Sequence, residues 1–232
     1  METLDMLANN IANVSSAGFK GDSEFYSLYH AESAALDPDA PAPAESPVIE
    51  KQWTDFSQGQ ITATANDLDL ALSGEGFFVV QSRSGTSYTR NGAFHVATNG
   101  TLQSQEGYTV LGADDKPVQV DGNTAVEVTS SGEVRQNGSQ VGQLKLVKFA
   151  TSGALTKQEH AYFRLSVSEL KPVAATGVEV RQKSLERANV EPAQAAVRLV
   201  SVMRQFEMLQ RAAAIGNEMN KHAIEDVARV SE

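Results

Sequence analysis

Two aspartates stand two residues apart in "NDLDLAL" (Asn66–Leu72), so on a strand Asp67 and Asp69 would share one face. A carboxylate pair suggests glycosidic chemistry, which needs one carboxyl group on each side of the scissile bond. Neighbours on one strand cannot bracket a bond that way. Asp67 and Asp69 read better as the flanks of a strand whose apolar members are Leu68, Leu70 and Leu72. The histidines His30, His95, His160 and His222 are scattered, and no two have metal-ligand spacing. "GEGFF" (Gly74–Phe78) contains G-x-G, but no helical pattern opens after it, as a phosphate cradle requires. The serines of "TSSGEV" (Thr129–Val134) have no histidine or acid partner at a motif distance. Cysteine is absent, which removes disulfides and thiolate metal sites. The expectation is no catalytic residue, no cofactor, no metal and no small-molecule substrate. A small acidic hydrolase or binding module with a helical oligomerisation tail is the competing reading.

The elements that would carry any such site are legible from pattern. The 232 residues suffice for one large domain, or a medium one with appendages. No run of about 18 apolar residues occurs, so no membrane insertion is expected. The opening residues lack a basic stretch followed by an apolar one, so no Sec-type signal peptide is expected. A net charge of −10 without a Lys/Arg-rich run argues against nucleic acid as a partner.

"AESAALDPDAPAPAESP" (Ala31–Pro47) is rich in proline and acid, with Leu36 its one large aliphatic residue, and reads as an extended linker. From about Trp53 the pattern turns to short strands: Gly76–Ser82, Ser87–Arg90, Ala93–Ala97, Tyr108–Gly112, Ala125–Ser130 and Gln143–Phe149. The turn dipeptides Asn91-Gly92, Asn99-Gly100, Asp121-Gly122 and Asn137-Gly138 lie between them. In the last strand Leu144, Leu146 and Phe149 alternate with Lys145 until Val147 breaks the period. The fold class predicted is mainly β with α: a central antiparallel β domain, a sandwich or open barrel, flanked by N- and C-terminal helices that form a coiled-coil-like helical domain.

Both ends read as helix. Leu4, Leu7, Ile11 and Val14 form an apolar face, with Asp5, Asn9 and Asn13 opposite and Asn10 alongside. Gly18 is placed as the left-handed residue ending that helix, with Phe19 folding back on Val14. A water-facing helix surface normally carries Lys and Glu, whereas Asn disfavours helix by roughly 0.5 kcal/mol relative to Ala. In an enclosed helix the balance reverses, because an unpaired buried charge costs several kcal/mol and Asn bonds without charge. At the other end Pro192 opens a long helix, with Asn189 or Glu191 serving its N-terminus. Ala195, Leu199, Val202, Phe206, Leu209, Ala213 and Gly216 begin a seam of alternating four- and three-residue steps. At 1.5 Å per residue the two helices span roughly 23 Å and 57 Å, so either other chains cover much of the longer seam or the first helix is expected to lack part of its length.

Three stretches resemble the bacterial flagellar rod and hook proteins: "LDMLANNIANVSSAGFKG" (Leu4–Gly21), Asn66–Gly112, and "LERANVEPAQAAVRLVSVMRQFEMLQRAAAIGNEM" (Leu185–Met219). Gly142–Phe149 and Phe163–Ser166 are more similar to the proximal-rod branch than to the distal-rod or hook branches. The resemblance implies a structural subunit exported through the flagellar type III apparatus. It implies assembly in the periplasmic rod, with other rod proteins and copies of itself as partners. Relatives carry more helix before the first block, so the first helix is expected to be truncated. The expected segments are residues 1–20 (N-terminal helix), 21–52 (linker), 53–184 (β domain) and 185–232 (C-terminal helix). The candidate inter-subunit contacts are Leu4, Leu7, Asn9, Asn10, Ile11, Asn13, Leu199, Val202, Arg204, Phe206, Glu207, Leu209 and Ala213.

Overall fold

The computed structural model describes residues 2–29, 46–166 and 171–230. The chain divides into two compact units, Ala12–Val190 and a second made of Met1–Ile11 with Glu191–Glu232. These bounds differ from the expected segments because residues 18–21 and 186–189 are bonded into the sheet-rich unit, as shown below.

That unit is built from short strands whose every pairing, among the described residues, is antiparallel. The sheets are open, not closed into a barrel. At the centre of the largest, Phe77–Ser82 pairs with Gly85–Thr89 on one side and with Thr109–Val110 and Leu146–Lys148 on the other. Its sequence, FFVVQS, is apolar almost throughout because both faces are covered. Phe78 and Val80 enter one core with Leu70, Leu72, Phe94 and Leu144. Phe77 and Val79 enter a second core with Tyr88, Val147 and Phe163. The same geometry explains the broken alternation after Lys145: Leu144 serves the first core and Val147 the second.

Later strands return to earlier ones. Glu179–Gln182 pairs with Leu70–Ser73, and Ser184–Glu186 pairs with Ile61–Ala63. The end of the unit is thus sewn to its beginning. Asp22–Tyr29 and Ser46–Thr54 form a two-stranded ribbon of their own, although both lie largely in the segment read as linker. The rest of that linker, residues 30–45, and His30 with it, lies outside the described residues.

The turn dipeptides serve different purposes. Asn137 (φ 52°) and Gly138 (φ 78°) make a two-residue hairpin loop joining Glu133–Gln136 to Ser139–Gln143. Gly92 instead permits a close approach, since a Cβ there would lie 1.8 Å from the Leu70 carbonyl oxygen.

In the second unit, α1 spans Glu2–Ala12 and α2 spans Pro192–Val230. Helix α1 stops earlier than its pattern predicts, and Gly18 does not end it. Gly18 has φ 65°, but its N–H donates to the Glu186 carbonyl at 2.7 Å, and a Cβ would collide with the Arg90–Asn91 peptide. Pro192 opens α2 as expected, and the Glu191 carbonyl accepts the Ala195 N–H at 3.0 Å. Asn189 does not cap it; its side chain is engaged elsewhere. Gly216 produces no break in α2, and a Cβ there would meet open space. Among the described residues no helix is long and apolar enough to cross a membrane.

Candidate assembly surface and its buried root

The carboxylates of Asn66–Leu72 and the hydroxyls of Thr129–Val134 have separate local partners. Asp67 pairs with Lys183 at 2.9 Å near the surface, while Asp69 is buried and accepts the Asn66 side-chain amide at 2.9 Å. The two carboxylates therefore hold different partners. Thr129 and Ser131 hydrogen bond to each other in a turn at 2.9 Å. Among the described residues no group of His, Cys, Asp or Glu is placed to hold a metal ion.

What the sheet-rich unit does bring together is a charged knot. Glu186 is fully buried, and its Oε1 accepts from Lys20 Nζ at 2.6 Å and from the Gly59 N–H at 2.9 Å. Its Oε2 accepts from Arg90 Nη1 at 3.2 Å. Lys20, also 0% exposed, donates to the Ser57 carbonyl at 2.6 Å, and Arg90 Nη2 donates to the Gly74 carbonyl at 2.7 Å. Burial pulls the Lys20 ammonium below its usual range, and the Glu186 carboxylate opposes that pull. Arg90 is lowered for the same reason and opposed by the same group.

A second layer surrounds the knot. The Asn189 side chain accepts the Gly21 N–H at 2.8 Å and donates to the Asp55 carbonyl at 2.7 Å. Lys157 donates to the Lys20 carbonyl, pairs with Asp22 at 2.7 Å and stands 3.9 Å from the centre of the buried Phe19 ring. Residues 18–21 lead in sequence from α1, and residues 186–189 lead into α2. The knot holds these two segments beside each other within the sheet-rich unit. Asn189→Ala should therefore cost about 1–3 kcal/mol, by stranding a backbone donor and acceptors it now satisfies. Chemical denaturation of the full chain would read this, and a midpoint unchanged from wild type would contradict it.

Sequence reading singled out none of Lys20, Arg90 or Glu186 as a site. For Lys20 and Arg90 a signal exists, since each is a charge within two residues of a glycine that packs tightly, in "AGFKG" and "TRNG", whereas Glu186, between Leu185 and Arg187, has none.

The predicted contact residues lie in the helical unit, except Asn13, which belongs to the sheet-rich one. In α1, Leu7 is buried, Leu4 and Ile11 are half-buried, and Asn9 is exposed. Asn10 corrects the two-faced picture, for it is buried along with Met6 and Leu7 and shares their side of the helix. Asn13 lies beyond the helix end, where its carbonyl accepts the Ser16 N–H at 2.9 Å. In α2, Leu199 and Val202 are half-buried, whereas Arg204, Phe206, Glu207, Leu209 and Ala213 are exposed. A second apolar line, Val197, Met208, Ile215 and Met219, is exposed on the opposite side of the same helix.

A sheet-rich body rooted at both chain ends, continued by helices with uncovered apolar surface, defines the class of an assembly subunit. Residues 71–136 match the family described as the flagellar hook protein FlgE/F/G D1 domain. Residues 181–225 match the flagellar basal body rod FlgEFG protein C-terminal family. The chain is 30% identical to the flagellar basal-body rod protein FlgF of Caulobacter vibrioides over 229 residues, covering 98% of this chain and 93% of that protein. It is also 30% identical to FlgF of Salmonella typhimurium, covering 87% and 82% of the two chains. With FlgG of Agrobacterium fabrum it shares 27% identity, covering 93% and 90%. The chain belongs to the FlgE/F/G family of flagellar rod and hook proteins, and its likeness to FlgF and FlgG places it among the basal-body rod proteins.

Proposed function

We propose that the chain is a structural subunit of the proximal part of the flagellar basal-body rod, built into the shaft between membrane ring and hook. It acts without catalysis. Its partners are other rod proteins and copies of itself, met in the periplasm after delivery by the flagellar export apparatus. The observation that supports this reading is α2, a 39-residue helix on which Phe206, Leu209, Met208 and Ile215 stand exposed in the single chain. Such surface gains stability only when another molecule covers it, at roughly 25 cal/mol per Å² of apolar area. Coiled-coil-like packing of α2 against helices of neighbouring subunits would supply that cover, with α1 contributing Leu4, Leu7, Asn9, Asn10 and Ile11, and Asn13 beside its end.

Deleting the gene should abolish motility and leave basal bodies without a hook, and a plasmid copy should restore both. Isolated wild-type basal bodies should contain the chain. Normal motility in the deletion strain, together with basal bodies lacking the chain, would end the proposal.

A further inference from the structure

Three Asn-Gly dipeptides occur in the sheet-rich unit, and the fold treats them unequally. The Asn91 side-chain oxygen accepts the Ala93 N–H at 3.0 Å, and Gly92 is wedged beneath the Leu70 carbonyl. The Asn99 oxygen accepts both the N–H and the hydroxyl of Thr101, at 3.1 and 2.7 Å, and the Gly100 N–H donates to the Ala97 carbonyl at 2.9 Å. Each of these asparagines is thus held by its side chain in a local turn.

Asn137 is different. It is exposed, its side chain makes no hydrogen bond among the described residues, and nothing lies within 4 Å of a Cβ placed on Gly138. The Gly138 N–H has no backbone acceptor outside the hairpin's own ladder. The hairpin is also an edge. Ser139–Gln143 ends its three-stranded sheet, is exposed at four of its five positions, and carries a bulge against Glu133–Gln136. The base of the hairpin is anchored by Gln136, whose side chain accepts the Asp121 N–H at 2.9 Å and donates to the Asp121 and Thr124 carbonyls at 2.8 and 3.1 Å, so the local opening is that of Asn137 and Gly138 themselves.

We propose that Asn137 is a site of spontaneous deamidation, the one Asn-Gly dipeptide of this unit that the native fold leaves reactive. When the loop opens out of its left-handed geometry, the Gly138 backbone nitrogen attacks the Asn137 side-chain carbonyl carbon. The new C–N bond closes a succinimide, the nitrogen gives up its proton, and the side-chain amide leaves as ammonia. Water then opens the ring at either carbonyl, giving aspartate or isoaspartate. No oxidant, reductant or enzyme enters the balance. Each event adds one negative charge to a chain already at −10. The isoaspartate product also lengthens the backbone of a two-residue loop that sets the hairpin register.

Incubating the folded full-length chain at mildly alkaline pH, followed by peptide mass mapping with an isoaspartate assay, tests this directly. Asn137 should convert on the order of tenfold faster than Asn91 or Asn99, reflecting the difference in local opening cost. In denaturant the three rates should converge, and Gly138→Ala should slow only the Asn137 reaction. Conversion at Asn91 or Asn99 as fast as at Asn137 in the folded chain would overturn the proposal. So would an Asn137 that stays intact while the denatured chain reacts.

Discussion

Glu186→Gln should destabilise the sheet-rich unit by about 3–5 kcal/mol, the range seen when one partner of a buried ion pair is removed. Among the described residues, the carboxylate is the only anion in direct contact with two buried cations, Lys20 and Arg90. Without its charge, the nearest partners left to the two cations are neutral carbonyl oxygens, that of Ser57 for Lys20 and that of Gly74 for Arg90. Domains of this kind hold only about 5–15 kcal/mol in total, so the loss would be a large fraction of the whole. Lys20→Met should cost less, about 1–3 kcal/mol, because it leaves one carboxylate facing one guanidinium. Asp67→Asn, at an exposed pair, should change stability by no more than about 1 kcal/mol. Urea denaturation of the three variants orders them. A Glu186 variant as stable as the Asp67 variant would show that the knot contributes no net stability.

The knot also explains what could and could not be read from the chain. Strands such as Gly76–Ser82 and Ala93–Ala97 were legible because their composition and turn punctuation are local properties. The proline opening α2 was legible for the same reason. Gly18 was misread as a helix stop because its demand for positive φ was visible, while its crossing of the Arg90–Asn91 peptide was not. Of the two residues whose proximity to Pro192 suits the helix N-terminus, Glu191 serves it, whereas Asn189 bonds to Gly21 and Asp55, far away in sequence. Lys20 and Glu186 are separated by 166 positions, and pattern along a chain carries no register between such distant segments. The ribbon of Asp22–Tyr29 with Ser46–Thr54 was obscured by its proline-rich neighbour, whose composition dominated the window. Asn10 was assigned to the wrong face because a polar residue was taken to avoid the side where Met6 and Leu7 are buried. In each case the missing information was a tertiary partner.

Phe206→Asp combined with Leu209→Asp should cost the isolated chain no more than about 2 kcal/mol while abolishing its incorporation into rods. The argument rests on where these side chains stand. Leu209 is 68% exposed and contributes little to the fold of a single chain, whereas Phe206, at 38%, is already covered over more than half of its surface. If neighbouring subunits cover what remains exposed, the two together should supply about 1.5–3 kcal/mol at the interface. Losing both would weaken association by about one to two powers of ten, before counting the cost of burying new carboxylates. Arg204→Ala and Glu207→Ala, removing exposed polar groups beside that seam, should weaken incorporation far less. Met208→Asp with Ile215→Asp, on the opposite line, separates two geometries. Equal loss of assembly would mean that α2 is enclosed on both sides, whereas full retention would confine its partners to the seam. Thermal melts of the monomers, with recovery of tagged chains in purified basal bodies, supply both readouts. A Phe206/Leu209 variant that entered rods normally would remove α2's seam from the interface, because a desolvated pair of carboxylates cannot be hidden at no cost.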